Sequence, residues 1–156
     1  MKLSLIGILV LMLIGIPSIS EDESKASNSI SLGVNNPEKK NGIIFLSTTK
    51  LDEIKDFYME EVGCQLWLDQ GSCLIFRYGN LLLGFCKGKE ADLGGTITFF
   101  YPGKKDVDRM YEMFKEKAKS QPKENPKYRI YHFYTQDPEG RAVEFQCFLH
   151  PLDWDF

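Results

Sequence analysis

The sequence predicts an α+β fold made of two βαβββ modules, and three observations carry that reading. Two segments, IIFLSTTKLDEIKDFY and TITFFYPGKKDVDRMY, repeat one plan: a strand, a short polar link, then a helix carrying an aromatic or Met-Tyr pair. After each helix, short strand-like runs follow one another between turn residues. The composition is that of one ordinary globular domain: 156 residues, 43% apolar and 26% charged. Glycine and proline, 13 and 7 residues, are scattered without a period, which excludes collagen-like and low-complexity classes. The net charge of −3 comes without a Lys/Arg block, so no nucleic-acid partner is expected. Two Trp, seven Tyr and eleven Phe fill a core or line a pocket.

Residues 1–20 stand apart from the fold. Lys2 precedes an apolar run from Leu3 to Pro17, and Ser18 and Ser20 suit the small-residue positions of a cleavage site before Glu21. This is the pattern of a secretory signal, and the run is shorter than a spanning helix needs. It predicts a secreted or exported chain. Two alternatives stay open: a retained membrane tether through residues 3–17, or a start codon placed ahead of a cytoplasmic domain. Residues 21–41 are polar and lack hydrophobic periodicity, so they read as a disordered leader.

The folded domain is expected over 42–150, with modules at about 42–88 and 95–150. Gly42 to Thr48 reads as a strand. Leu51, Ile54, Phe57, Tyr58 and Val62 mark the buried face of a helix that Gly63 ends. Strands follow at Cys64 to Leu68, Ser72 to Tyr78 and Leu81 to Lys87, the last two joined by a two-residue Gly79-Asn80 turn. The second module opens with Thr96 to Tyr101. Val107, Met110, Tyr111, Phe114 and Ala118 then mark a helix. A weak strand falls within Lys119 to Lys127. Tyr128 to Gln136 and Arg141 to Phe148 form a hairpin around Asp137-Pro138-Glu139-Gly140. Residues 151–156 are a C-terminal tail with two large aromatics.

The segment from Gly42 to Leu149 resembles the vicinal oxygen chelate superfamily, which includes glyoxalase I, bleomycin and fosfomycin resistance proteins and extradiol dioxygenases. Phe57-Tyr58 with Val62-Gly63, Leu83-Gly84-Phe85, and the block from Phe133 to Phe145 through Asp137-Pro138-Glu139-Gly140 carry the likeness. The resemblance implies a curled mixed sheet around a cleft. It also implies a homodimer, since members commonly complete their clefts by pairing.

Enzymes of that superfamily hold a divalent metal with side chains from both modules. Carried over position by position, the first ligand falls at Ile43, which cannot coordinate, and the one opening the second module at Thr96, a poor ligand. The last falls at Glu144, which is retained, and Leu81 to Cys86 offers no donor for the fourth. No cofactor is therefore expected, and Glu144 is a metal ligand only if a metal is bound.

Alternation along the last hairpin puts His132 and Tyr134 on one strand face and Glu144 and Gln146 on the other strand's matching face. If Glu144 faces the cleft, as the resemblance implies, the rest join it, and Thr96, Thr98 and Phe100 come from the neighbouring strand. His132, Glu144 and Tyr134 are the candidate catalytic residues. Thr96, Thr98, Phe100 and Gln146 are the candidate ligand contacts. A His–carboxylate pair suits acid–base work near neutral pH. Plainer readings stand beside it: a sheet histidine satisfied by Glu144, a Tyr134 that only packs, or a Glu144 that anchors backbone or Arg141.

Cys64, Cys73, Cys86 and Cys147 form no CxxC motif. The Gly79-Asn80 turn places Cys73 opposite Cys86, within disulfide reach if the chain is exported; the alternative is buried free thiols. The charged runs on both helices read as solvated faces. Three functions remain: a metal-free module binding a small organic molecule in its cleft, a divergent lyase, isomerase or dioxygenase using Glu144 with His132, or a structural or interaction role with a filled cleft. Whether the chain is an enzyme is left open at this stage.

Overall fold

The computed structural model describes residues 41–152. The expected signal segment, nearly all of the expected leader and the end of the tail lie outside the described residues. No helix among the described residues is long and apolar enough to cross a membrane.

The first module runs β1 (Ile44–Thr48), α1 (Leu51–Asp56), β2 (Gln65–Asp69), β3 (Cys73–Tyr78) and β4 (Leu81–Lys87). The second runs β5 (Thr96–Tyr101), α2 (Lys104–Phe114), β6 (Lys123–Asn125), β7 (Ile130–Gln136) and β8 (Ala142–Phe148). Each module makes its own four-stranded mixed sheet, ordered β1-β4-β3-β2 and β5-β8-β7-β6. The two expected modules are thus two mixed sheets whose ladders do not join. In each, the opening strand pairs in parallel with the last strand and the remaining pairs are antiparallel.

The first helix departs from the expected α-helix to Val62. Over Phe57–Glu61 it widens to a π-helical turn, and the Val62 amide bonds back to the Phe57 carbonyl at 3.0 Å. Phe57 and Tyr58 are both buried there. Gly63, at φ 85°, then lets the Cys64 amide reach the Tyr58 carbonyl and close the helix. The second helix starts at Lys104 and ends at Phe114, burying Val107, Met110 and Phe114. Ala118 lies beyond its end, where its amide still bonds the Phe114 carbonyl at 2.8 Å.

One aromatic core joins the modules. Tyr58 stacks on Phe85 with ring centres 4.8 Å apart and lies 6.5 Å from Phe99, which stacks on Phe145 at 5.7 Å. Phe57 meets Phe114 edge-on at 5.8 Å. Each fully buried Phe contributes about 1.5–3 kcal/mol of transfer free energy, so neither half is expected to keep this core alone.

The five-residue loop between Gln136 and Ala142 clamps the two halves together. Asp137 folds it by accepting hydrogen bonds from the Glu139 and Arg141 amides. Arg141, 1% exposed, pairs with Asp137 and reaches across to the carbonyls of Asp92 (2.6 Å) and Ser47 (3.1 Å). Tyr58 donates to Asp137 at 3.2 Å, and burial followed by the charge on Asp137 raises its phenol above the ordinary value. Glu139 accepts from the Thr48 hydroxyl and the amides of Thr49 and Lys50 at the start of α1. Burial pushes its carboxyl up, but these donors carry it below the ordinary value. The segment that most resembles the superfamily is therefore chiefly a clasp between modules. The reading in which Glu144 anchors Arg141 fails, because Arg141 is held by Asp137.

The Gly79-Asn80 turn is a two-residue loop, with Tyr78 paired to Leu81 and Cys73 opposite Cys86. Cys73 and Cys86 form a disulfide, so the free-thiol alternative fails for this pair and holds for buried Cys64 and Cys147. Burial pushes the Cys64 thiol up to about 12, which makes it a poor nucleophile.

Candidate functional site

Register decides which side chains meet. Thr98 pairs with Glu144 across β5 and β8, and Tyr134 with Glu144 across β7 and β8; His132 lies opposite Gln146. Paired residues share a sheet face, so these five side chains stand together on the face turned away from the aromatic core.

Glu144 is the centre of the group. Its Oε1 lies 2.6 Å from His132 Nδ1, and its Oε2 accepts the Thr98 hydroxyl at 2.8 Å. Burial, followed by the Glu144 carboxylate across the strand pair, raises the Tyr134 phenol above the ordinary value. The His132 ring stands edge-on to the Tyr134 ring with centres 5.2 Å apart. A carboxylate at Nδ1 keeps the proton of a neutral imidazole there and leaves Nε2 as an acceptor.

Two polar groups are left over. His132 is 5% exposed and Gln146 is 8% exposed. Neither His132 Nε2 nor the Gln146 amide makes a hydrogen bond to the described residues. Among those residues no fully sealed side-chain polar atom lacks a partner, so both groups open toward the adjoining cavity. That cavity, of about 400 Å³, is lined by His132, Tyr134, Glu144 and Gln146 together with Asn125, Tyr128, Ile130 and Phe148. Among the described residues no Lys or Arg lines it, and Lys123, opposite His132 on β6, is exposed.

The other expected contacts are distributed differently. Phe100 is 39% exposed and is not among the lining residues, but it meets Phe148, which is, edge-on at 5.9 Å. Thr96 lies opposite Ala142, is exposed, and stands away from the polar group. Asn125 is a cavity residue that sequence reasoning missed. It sits on the three-residue strand β6, whose only signal was a weak run between two prolines.

The donor set does not fit the metal of the superfamily's enzymes. Ile43 has no donor atom, Thr96 lies outside the polar group, and both Glu144 oxygens are engaged within the chain. Among the described residues no three His, Cys, Asp or Glu side chains converge.

No protein-family model matches the chain, and no curated protein matches it. Solved structures do. A lactoylglutathione lyase from Agrobacterium tumefaciens aligns at 22% identity and TM-score 0.58, covering 72% of this chain and 95% of its own. A glyoxalase/bleomycin resistance protein/dioxygenase from Nocardioides aligns at 16% identity and TM-score 0.61, covering 79% and 92%. A fosfomycin resistance protein from Listeria monocytogenes aligns at 16% and 0.59, covering 70% and 93%. The chain has the glyoxalase/bleomycin resistance-like fold.

Proposed function

We propose that this chain binds a small organic molecule on the polar face of its second module, without a resident metal ion. The observation that supports it is the pair of polar groups, His132 Nε2 and the Gln146 amide, which belong to residues more than nine-tenths buried, have no hydrogen-bond partner among the described residues and open onto the cavity. A ligand in the cavity would exchange hydrogen bonds to water at these two groups for direct ones. Glu144 serves as the anchor that orients His132. The Cys73–Cys86 disulfide supports placing the protein in an oxidising compartment.

The test combines metal analysis with ligand screening. The purified chain, soaked in Zn, Ni, Mn or Fe(II) and dialysed, is expected to retain no stoichiometric metal. Stoichiometric metal that disappears in Glu144→Ala refutes the reading. Small neutral molecules with a hydrogen-bonding head should raise the melting temperature, and Gln146→Leu should abolish that rise.

A second reading rests on the 2.6 Å contact between Glu144 and His132, which makes Nε2 a general base. It predicts exchange of α-protons of a small ketone such as hydroxyacetone with deuterated solvent, followed by NMR. Exchange no faster than with His132→Gln rejects it.

A further inference from the structure

Beside the polar face runs an apolar groove built from both modules. One part, a cavity of about 280 Å³, is lined by Tyr78, Leu81, Thr98, Phe99 and Phe100. A second part, of about 300 Å³, is lined by Ile44, Leu46, Leu81, Leu83, Ile97 and Thr98. Leu81 and Thr98 border both parts, so the two are neighbours along β5. Thr98 is also the residue whose hydroxyl holds Glu144 at 2.8 Å. A hydrocarbon-lined groove thus reaches the polar group through one side chain.

We infer that the ligand is amphipathic, with an alkyl body in the inter-module groove and a neutral hydroxyl-type head between His132 and Gln146. This rests on the binding reading above. The head assignment follows from the donors and acceptors present: His132 Nε2 accepts, and the Gln146 amide both donates and accepts. An anionic head would face Glu144 directly, whereas the nearest cation by register, Lys123 opposite His132 on β6, is exposed and outside the cavity lining. The body assignment follows from the groove, whose aliphatic side chains include Ile44, 57% exposed. Transfer of an alkyl chain there removes apolar surface on both partners from water.

The probes are 4-alkylphenols from ethyl to hexyl, with 4-butylbenzoate as the anionic control, titrated calorimetrically into the purified chain. Affinity should rise about fourfold per methylene, the ratio expected for burial of one CH₂. The benzoate should bind at least about tenfold more weakly than 4-butylphenol, the factor set by 1.4 kcal/mol. Leu81→Asn should flatten the chain-length dependence. Ile44→Ser, at an exposed position that does not threaten folding, should reduce it. Gln146→Leu should weaken the whole series evenly and leave the dependence intact.

Binding without chain-length dependence, or a dependence untouched by both groove variants, overturns the amphipathic assignment and leaves the binding site standing. No binding of any phenol, wild type matching Gln146→Leu, overturns both. A sedimentation result in which the chain is a dimer that Ile44→Ser dissociates, with the alkyl dependence unchanged, gives the groove to a second copy and also overturns the proposal.

Discussion

The two modules share a backbone plan and a pairing register, yet the same positions carry opposite chemistry. Glu144 on β8 has Thr98 beside it on β5 and Tyr134 beside it on β7. The matching residue on β4 is Gly84, flanked by Phe45 on β1 and Ile75 on β3. His132 and Gln146 correspond to Cys73 and Cys86. Where the second module presents a hydrogen-bonded polar group, the first has an aromatic ring over a glycine and a covalent bond. A Cβ on Gly84 would sit 2.2 Å from the Phe45 ring, so the ring occupies the space a side chain would take. The comparison teaches that the strand plan supplies two equivalent faces and that side-chain identity leaves only one able to receive a polar ligand.

The strongest way to break the comparison is to uncouple the halves. Arg141→Met removes the cation that pairs with fully buried Asp137 and holds the carbonyls of Ser47 and Asp92. Leaving that carboxylate unpaired should cost about 3–5 kcal/mol in denaturant unfolding. A loss below about 1 kcal/mol would mean the clasp is dispensable and each module holds itself.

The disulfide asks whether the first module is stabilised separately. The double variant Cys73→Ser, Cys86→Ser opens a link with a sequence separation of 13. It should cost about 2–3 kcal/mol. Hydrogen exchange should quicken in β3 and β4 while β7 and β8 keep their protection until global unfolding. Equal acceleration in both sheets would show that the asymmetry is not energetic.

The smallest effect concerns Glu139, whose carboxylate from the second module caps the first helix of the first. Its folded pKa lies below the ordinary value, so its contribution is present above the unfolded pKa of about 4.3 and is lost as pH falls through the folded value. Glu139→Gln should cost about 1 kcal/mol at pH 7. Wild type and variant should converge as the pH is lowered below about 4. A pH-independent difference would assign the effect to shape rather than charge.

Much of this was legible in the chain. Strand alternation placed His132, Tyr134, Glu144 and Gln146 on one face, because a pleated strand turns successive side chains to opposite sides. The two-residue turn at Gly79-Asn80 put Cys73 opposite Cys86, because so short a loop fixes the register. The helical spacing of Val107, Met110 and Phe114 found the buried stripe of the second helix. These are local rules, and each needs only a few neighbouring residues.

What the tertiary structure decided depends on residues far apart in sequence. It gave Arg141 to Asp137, Asp92 and Ser47, and the start of the first helix to Glu139. It widened the first helix at Phe57 and kept the two sheets separate. Above all, it engaged both Glu144 oxygens while leaving the Gln146 amide without a hydrogen-bond partner among the described residues, and it set an apolar groove beside them from both modules. Periodicity can say which way a side chain points. Which group waits at the other end is settled only when the whole core has packed and each buried polar atom has found a partner or been left without one.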